Sequence, residues 1–357
     1  MRKRGRFIQL VVGLLFLPAL PGCSTDDSAR KILVVYSPHG KELLTEFERR
    51  YEEVRPDVDV LWLDMGSQDI YDRVRTERKN PQADVWWGAP SILFMKAEEE
   101  GLLEPYVPTW DSTVNRDEKS ARHHWYGTFL TPEVIAYNTR LLTSDEAPKD
   151  WDELLQPRWR NKIVIRYPLA SGTMRMIFSV LIAREFGRTG DVQKGFLWLR
   201  RLDANTKSYA ADPTQLYLKL AREESAVTVW NLPDIELQVQ LHGYPFGYVI
   251  PRSGTPMIVD AIALVKGSDH PEVAREFYEF VTTKESMLVQ AEKFFRIPAR
   301  TDIEKSALPE WISRLELRRM EVDWQLVHKR EREWMRYWEE NIKGRGVTDE
   351  SLDEHSD

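Results

Sequence analysis

Cysteine is almost missing from this chain. Cys23 is the only one in 357 residues, which excludes an intrachain disulfide and any cysteine-based zinc or iron–sulfur site. Histidine is scarce too: there are seven, and only His123-His124 stand side by side. Adjacent side chains seldom converge on one ion, so no metal site is expected. The sequence contains no HExxH, no GxSxG and no GxxxxGK[ST], which removes the signatures of a zinc peptidase, a serine-hydrolase elbow and a phosphate-binding loop. Acidic residues are plentiful but single out no acid–base pair, so an enzyme is not expected and no cofactor is implied. Positive charge is in deficit, with 50 Lys and Arg against 57 Asp and Glu and a formal net charge of −7. A nucleic-acid partner is therefore not expected. Beyond residue 22 no apolar run is long enough to cross a membrane.

What is present starts with an export signal. Residues 1–22 combine a basic start, Arg2-Lys3-Arg4, with an apolar stretch over 7–20, and read as a signal peptide. Leu20-Pro21-Gly22-Cys23 resembles a bacterial lipobox, with Pro21 where a small residue is usual. Cys23 is thus the expected lipidation site, and residues 23–30 a polar tether. The protein is expected to be exported and lipid-anchored in the cell envelope. At the other end, 344–357 is acidic and expected to be disordered.

The length exceeds one ordinary core, so two lobes are expected. Strand, polar loop and helix recur three times between residues 32 and 99: strands at 32–36, 58–63 and 84–87, each followed by a helix pattern. That is the rhythm of an open parallel sheet, whose ligands bind at the carboxyl ends of the strands. Ser37, His39, Ser67 and Ser91 stand at those ends. Ser171-Gly172-Thr173 repeats the arrangement later, after a strand at 162–167 and before a long helix. A Ser-Gly-Thr helix start offers unpaired amides, two hydroxyls and the positive end of the helix dipole to an anion. It serves equally as a cap for its own helix. Asn231 and Asp234 end another buried strand, as polar contacts or as helix caps. Aromatic residues in the last long segment, 322–342, recur at helical spacing from Trp324 to Trp338 and read as core packing.

Five stretches, in this order, carry a resemblance: Tyr36-Ser37-Pro38-His39-Gly40-Lys41-Glu42; Ala83-Asp84-Val85-Trp86-Trp87-Gly88; Ala170-Ser171-Gly172-Thr173; Asp260-Ala261-Ile262-Ala263-Leu264-Val265-Lys266-Gly267; and the helix at 271–282. They resemble the solute-binding lipoproteins of bacterial ABC importers, in the branch of ferric-ion, sugar-phosphate and phosphonate receptors. The resemblance implies an α/β, two-lobed periplasmic-binding-protein fold of type II, with mixed open sheets and a cleft between the lobes. Lobe 1 would comprise 31–126 plus 256–306, and lobe 2 would comprise 127–255 plus 307–343. Ligand positions would be Ser37, His39, Gly88, Ala89, Ser91, Ser171, Gly172, Thr173, Asn231 and Asp234, with Ser67 added by its place at a strand end. The implied partners are a small-molecule solute and the permease and ATPase of an importer, with the receptor a monomer. Ferric receptors of this branch use a tyrosine pair after the late strand; here that region reads Val229-Trp230-Asn231-Leu232. Hydroxyls and helix-start amides suit phosphate, phosphonate or carboxylate better than Fe³⁺. A small anionic or polar organic solute is the expected ligand. The alternatives are a ferric receptor using His39, Tyr209 and Tyr217, an exported hydrolase, or a sensory binding module.

Overall fold

The computed structural model describes residues 30–345. The expected signal peptide, Cys23 with most of its tether, and residues 346–357 of the acidic tail lie outside them.

The chain opens with β1 (Lys31–Ser37), α1 (Lys41–Val54), β2 (Val58–Asp64), α2 (Ser67–Thr76), β3 (Val85–Pro90), α3 (Ser91–Glu99) and the short β4 (Leu103–Glu104). A long strand, β5 (Tyr126–Asn138), leads out of this half. The second half holds β6 (Ile163–Arg166), α4 (Gly172–Thr189), α5 (Val192–Asn205), β7 (Thr206–Ala210), α6 (Pro213–Ala221), β8 (Val227–Asn231), α7 (Leu232–His242) and β9 (Phe246–Val249). The chain returns through β10 (Met257–Val265) to α8 (Pro271–Val281), α9 (Lys284–Phe294) and β11 (Ile297–Pro298), and ends with α10 (Glu310–Ser313) and α11 (Trp324–Asn341).

The strands hydrogen-bond in the order β2-β1-β3-β10-β5-β8-β6-β7. β1 is parallel to β2 and β3, and β6 is parallel to β7 and β8. β10 runs antiparallel to both β3 and β5. β5 is the shared strand. Residues from Tyr126 to Pro132 pair with β10, whereas Glu133 to Tyr137 pair with β8. The sheet thus changes from one half to the other inside β5, between Pro132 and Glu133. Parallel pairing forces each strand to return through a helix, so all the helix starts of a half lie at one sheet edge. That geometry makes a two-lobed protein with mixed open sheets and the cleft between them.

Apolar spacing explains the helix placement. α1 turns Leu43, Leu44, Phe47 and Tyr51 inward, four residues on one 3.6-period face. Phe47 meets Trp87 edge-on at 5.4 Å, and Trp87 meets Phe277 of α8 at 6.0 Å, which closes the first core. α4 is buried on nearly every side from Met174 to Ala183. It packs between α5 and the stripe Val327, Trp334, Met335 and Trp338 of α11. Trp324 departs from that stripe: it is 37% exposed, at the first turn of the helix. Two 3-10 turns, Trp151–Leu155 and Pro157–Trp159, stand in place of a continuous helix, because Pro157 can neither donate nor continue the first turn. The short β11 is set by pairing alone: its Ile297 and Pro298 pair with Leu130 and Phe129 of β5. Trp311, read with the second lobe, donates to the Ala291 carbonyl of α9 in the first.

Candidate functional site

The carboxyl ends of β1, β2, β6, β7 and β8 open onto one crevice, a cavity of about 840 Å³. The starts of α1, α2, α4, α6 and α7 point at it. Their caps differ between the halves. α1 and α2 begin at Gly40 and Gly66 with no side-chain cap, so their first amides are left to the crevice. On the other side Ser171, Asp212 and Asn231 each accept a backbone amide of their own helix. Ser171 Oγ takes the Met174 N–H at 3.2 Å, so it is the cap of α4. The amides of Gly172 and Thr173 stay unclaimed by that bond.

The starts of α2 and α4 face each other at contact distance. A Cβ on Gly172 would lie 2.8 Å from the Ser67 Cβ, and one on Gly66 would lie 3.2 Å from the Ala170 carbonyl oxygen. Two positive helix ends, one from each half, therefore converge on one spot. Arg166, at the end of β6, reaches the same place. Its terminal nitrogens donate to the carbonyls of Ala210 (3.2 Å) and Ala170 (3.3 Å), and its Nε has no partner. Burial lowers its pKa below the ordinary arginine value, while the charges of Asp212 and Asp69 oppose that fall.

A second cluster lies at the other side of the cavity. Asp234 Oδ2 accepts from Trp230 Nε1 (3.1 Å), Asn231 Nδ2 (2.8 Å) and the Tyr217 hydroxyl (3.3 Å), while its Oδ1 receives Arg296 at 3.3 Å. Asp260 on β10 accepts the Thr131 hydroxyl and the Ala89 amide. Burial nevertheless pushes its pKa up to about 6, with Asp234 adding to the rise and Thr131 and Arg296 opposing it. Glu133, two residues along β5, is fully buried with neither carboxylate oxygen partnered, and burial beside Asp260 and Asp234 raises its pKa well above the carboxylate range. His39 is buried against Trp87 and Phe129 with Nε2 unpartnered. Burial, then the Arg296 charge, lowers its pKa, so the ring is neutral.

His39, Ser67, Ser171, Gly172, Thr173, Asn231 and Asp234 all line this cavity. Four other expected positions do not line it. Ser37 is fully buried and its hydroxyl accepts the His39 amide, which shapes the loop. Gly88 cradles His39: a Cβ there would sit 2.3 Å from Nε2. Ala89 spends its amide on Asp260 and adopts φ 122°, a left-handed conformation that costs an alanine strain. Ser91 lies behind the crevice, on a separate cavity of about 480 Å³. These residues act at one remove, because β3 is inside the sheet and its exit loop is roofed by His39. Asp260, Arg296, Thr131 and Tyr217 were not read as anion-site residues, though they line the cavity. The one available signal was an acid inside an otherwise apolar strand, Asp260 within Met257–Val265. Arg175 pairs with Glu331 and does not line the cavity, whereas Arg166 does. Among the described residues no group of three or more His, Cys, Asp and Glu is arranged to hold a metal ion. Tyr209 donates to Asp203 away from the crevice.

Comparison with known proteins agrees with this geometry. The chain is 26% identical over 319 residues to a probable ABC transporter periplasmic-binding protein of Sinorhizobium fredii, spanning 87% of this chain and 86% of that one. It is 26% identical over 311 residues to a putative 2-aminoethylphosphonate-binding periplasmic protein of Salmonella typhimurium, spanning 82% and 86%. Among solved structures it resembles the periplasmic binding protein AfuA of Actinobacillus pleuropneumoniae, determined with fructose-6-phosphate bound. The TM-score is 0.76 at 22% identity, over 89% of this chain and 100% of that one, so the fold is shared. The profile described as bacterial extracellular solute-binding protein matches residues 42–317, and the chain belongs to that family, as a receptor with the two-lobed type II fold.

Proposed function

We propose that the protein captures a small anionic or polar organic solute between its lobes and delivers it to the permease of an ABC importer. The solute class is a phosphorylated sugar, a phosphonate or a carboxylate. One observation carries this reading: the uncapped start of α2 and the start of α4 meet across the crevice beside the buried Arg166. An oxyanion there would receive amides from both lobes, hydroxyls from Ser67 and Thr173, and a guanidinium. Such a ligand bridges the lobes and favours the closed form, because its bonds are complete only on closure.

No covalent step is needed. Thr131 donates its hydroxyl to Asp260 and Tyr217 donates its hydroxyl to Asp234, and capture of a solute requires neither to act as a nucleophile. The ferric alternative loses support from the site's donors: Tyr217 is the cavity's phenol near the acids, and its hydroxyl is committed to Trp230 and Asp234. Burial, then the Asp234 charge, raises its pKa well above the ordinary tyrosine value, so phenolate is costly to form. Lobes divided at 31–126 plus 256–306 and at 127–255 plus 307–343, lipid attachment at Cys23, and a monomeric receptor complete the reading. Its test is a thermal-shift screen of hexose phosphates, phosphonates, dicarboxylates and ferric salts on the mature protein. An anion that binds the folded state alone raises the melting temperature by mass action. A melt moved by Fe³⁺ and by none of the anions sinks the reading.

A further inference from the structure

The cavity of about 480 Å³ behind the crevice is separated from it by a strand that joins the two halves. Met257, Ile258 and Val259 of β10 line the rear cavity, while Asp260, the next residue, lines the crevice. Met257 and Ile258 pair with Pro132 and Thr131 of β5, where the sheet passes from one half to the other. The remaining walls come from both halves: Ile92 and Met95 of α3 on one side, Met176 of α4 and Trp324 of α11 on the other. Two ion pairs tie these sides together. Lys96 of α3 meets Glu331 of α11 at 3.0 Å, and Glu99 of α3 meets His328 of α11 at 3.0 Å. The rear cavity therefore has its shape at one setting of the lobes, the setting in which the starts of α2 and α4 touch.

The lining has a definite chemistry. Four of the nine methionines in the chain, Met95, Met176, Met257 and Met320, converge here, with Trp125 and Trp324 beside them. Thioethers adapt to the shape of a ligand and favour contact with aromatic rings. Trp324 is 37% exposed, an apolar ring that an occupant would cover. Charges at the rim are satisfied within the protein. Glu98 accepts Arg122 Nε at 2.7 Å and Trp125 Nε1 at 3.0 Å, Glu118 accepts Arg319 at 3.3 Å, and Lys119 donates to Asp111 at 2.8 Å. Asp117 is exposed, and an ion pair made in water is weak. A charged ligand would lose hydration here for little return, whereas the volume falls in the range of small-molecule sites, about 300–1,000 Å³.

We infer that the rear cavity is a second binding site, for an uncharged aromatic molecule, and that its occupant tightens solute capture. The coupling rests on the receptor reading above; the site itself does not. A molecule packed against walls from both halves favours the lobe setting that builds those walls. The solute favours the same setting, so each raises the affinity for the other.

Benzophenone tests the site, because it is uncharged and aromatic and on irradiation attaches to methionine C–H bonds. Irradiation of the mature protein with benzophenone, followed by peptide mass spectrometry, should place the label on Met95, Met176, Met257 or Met320. Label on Met65, which lines the crevice, or label spread over the surface without saturation, overturns the site. Trp324→Glu puts a carboxylate into the wall at an exposed position and should weaken benzophenone binding about tenfold or more; unchanged labelling in that variant also overturns the site. For the coupling, glucose 6-phosphate, ethylphosphonate and succinate, one for each solute class, are titrated calorimetrically with and without saturating benzophenone. Affinity for an anion that binds should rise about five- to a hundredfold, and benzophenone should have no such effect on Trp324→Glu. An affinity that benzophenone leaves unchanged or lowers overturns the regulatory role and leaves the receptor reading standing. Silence from all three anions removes the receptor reading and the regulatory role with it, while a labelled site stands.

Discussion

Gly172 and Ser67 meet across the cleft with no room for a methyl group, since a Cβ on Gly172 would lie 2.8 Å from the Ser67 Cβ and 3.2 Å from Pro90 Cδ. Gly172 is the first residue of α4 and Ser67 the first of α2. Gly172→Ala should therefore hinder closure and not folding. Overpacking of this kind costs ~1–3 kcal/mol, and here opening the lobes relieves it. Affinity for the solute should fall by about ten- to a hundredfold, while the melting temperature of the unliganded protein changes little. A loss of melting temperature with unchanged affinity would show that the glycine serves only the helix.

Ser171 and Thr173 separate into two roles. The Ser171 hydroxyl caps α4, and Ser171→Ala should lower stability by about 1 kcal/mol. No bond within the described residues engages the Thr173 hydroxyl, which lines the cavity. Thr173→Ala should leave the melt of the unliganded protein in place and weaken anion binding by about 1.5–3 kcal/mol, the worth of a hydrogen bond to a charged group. Denaturation and titration of the two single variants, side by side, check both halves of this statement.

The sequence pattern exposed what depends on local chain chemistry. The βα rhythm placed β1 to β3, and the Ser-Gly-Thr turn placed the start of α4. Residues at helix starts, such as Ser67, Gly172 and Asn231, were legible because a strand end followed by a helix has few conformations. Arg296 and Asp260 were not legible, since they reach the cavity through the returning strand β10 and the loop after α9, and only the tertiary crossing brings them there. The β3 exit loop misled for a related reason. Its place at a strand end is real, but His39 lies over Gly88 and shuts that loop off from the crevice. β11 escaped notice because two residues pair only when β5 is already in place.

Glu331 joins three helices. It is fully buried on α11 and accepts Arg175 Nε of α4 at 2.8 Å and Lys96 Nζ of α3 at 3.0 Å. Burial pushes its pKa up, but the two cations outweigh that and hold it below the ordinary value. Burial also lowers the Lys96 pKa in spite of the Glu331 charge. Glu331→Gln leaves both cations facing a neutral amide, and removing one partner from a buried pair costs about 3–5 kcal/mol. Denaturant titration should show that loss, and Lys96→Met with Glu331→Gln should recover part of it. A cost below about 1 kcal/mol, the range of exposed pairs, would mean that water reaches the triad.

Asp260 makes stability depend on pH in an unusual direction. Its ordinary value is 3.8 and the fold raises it to about 6. The native state then binds a proton that the unfolded chain does not hold throughout that window. Stability is highest when the group is protonated in both states, below 3.8, and is lost as pH climbs through 6, where the charge is buried. Glu133 has the same sign, with its pKa raised by burial and by Asp260 and Asp234. His39 opposes both, because its folded pKa is depressed and the unfolded ring gains a proton first as pH falls. A difference between wild type and Asp260→Asn cancels the other groups that the substitution leaves untouched. Relative to wild type, the variant should gain stability as pH rises from about 4 to 8, by up to about 3 kcal/mol for a shift of this size. A pH-independent difference between the two proteins would mean that Asp260 is solvated and carries no displaced titration.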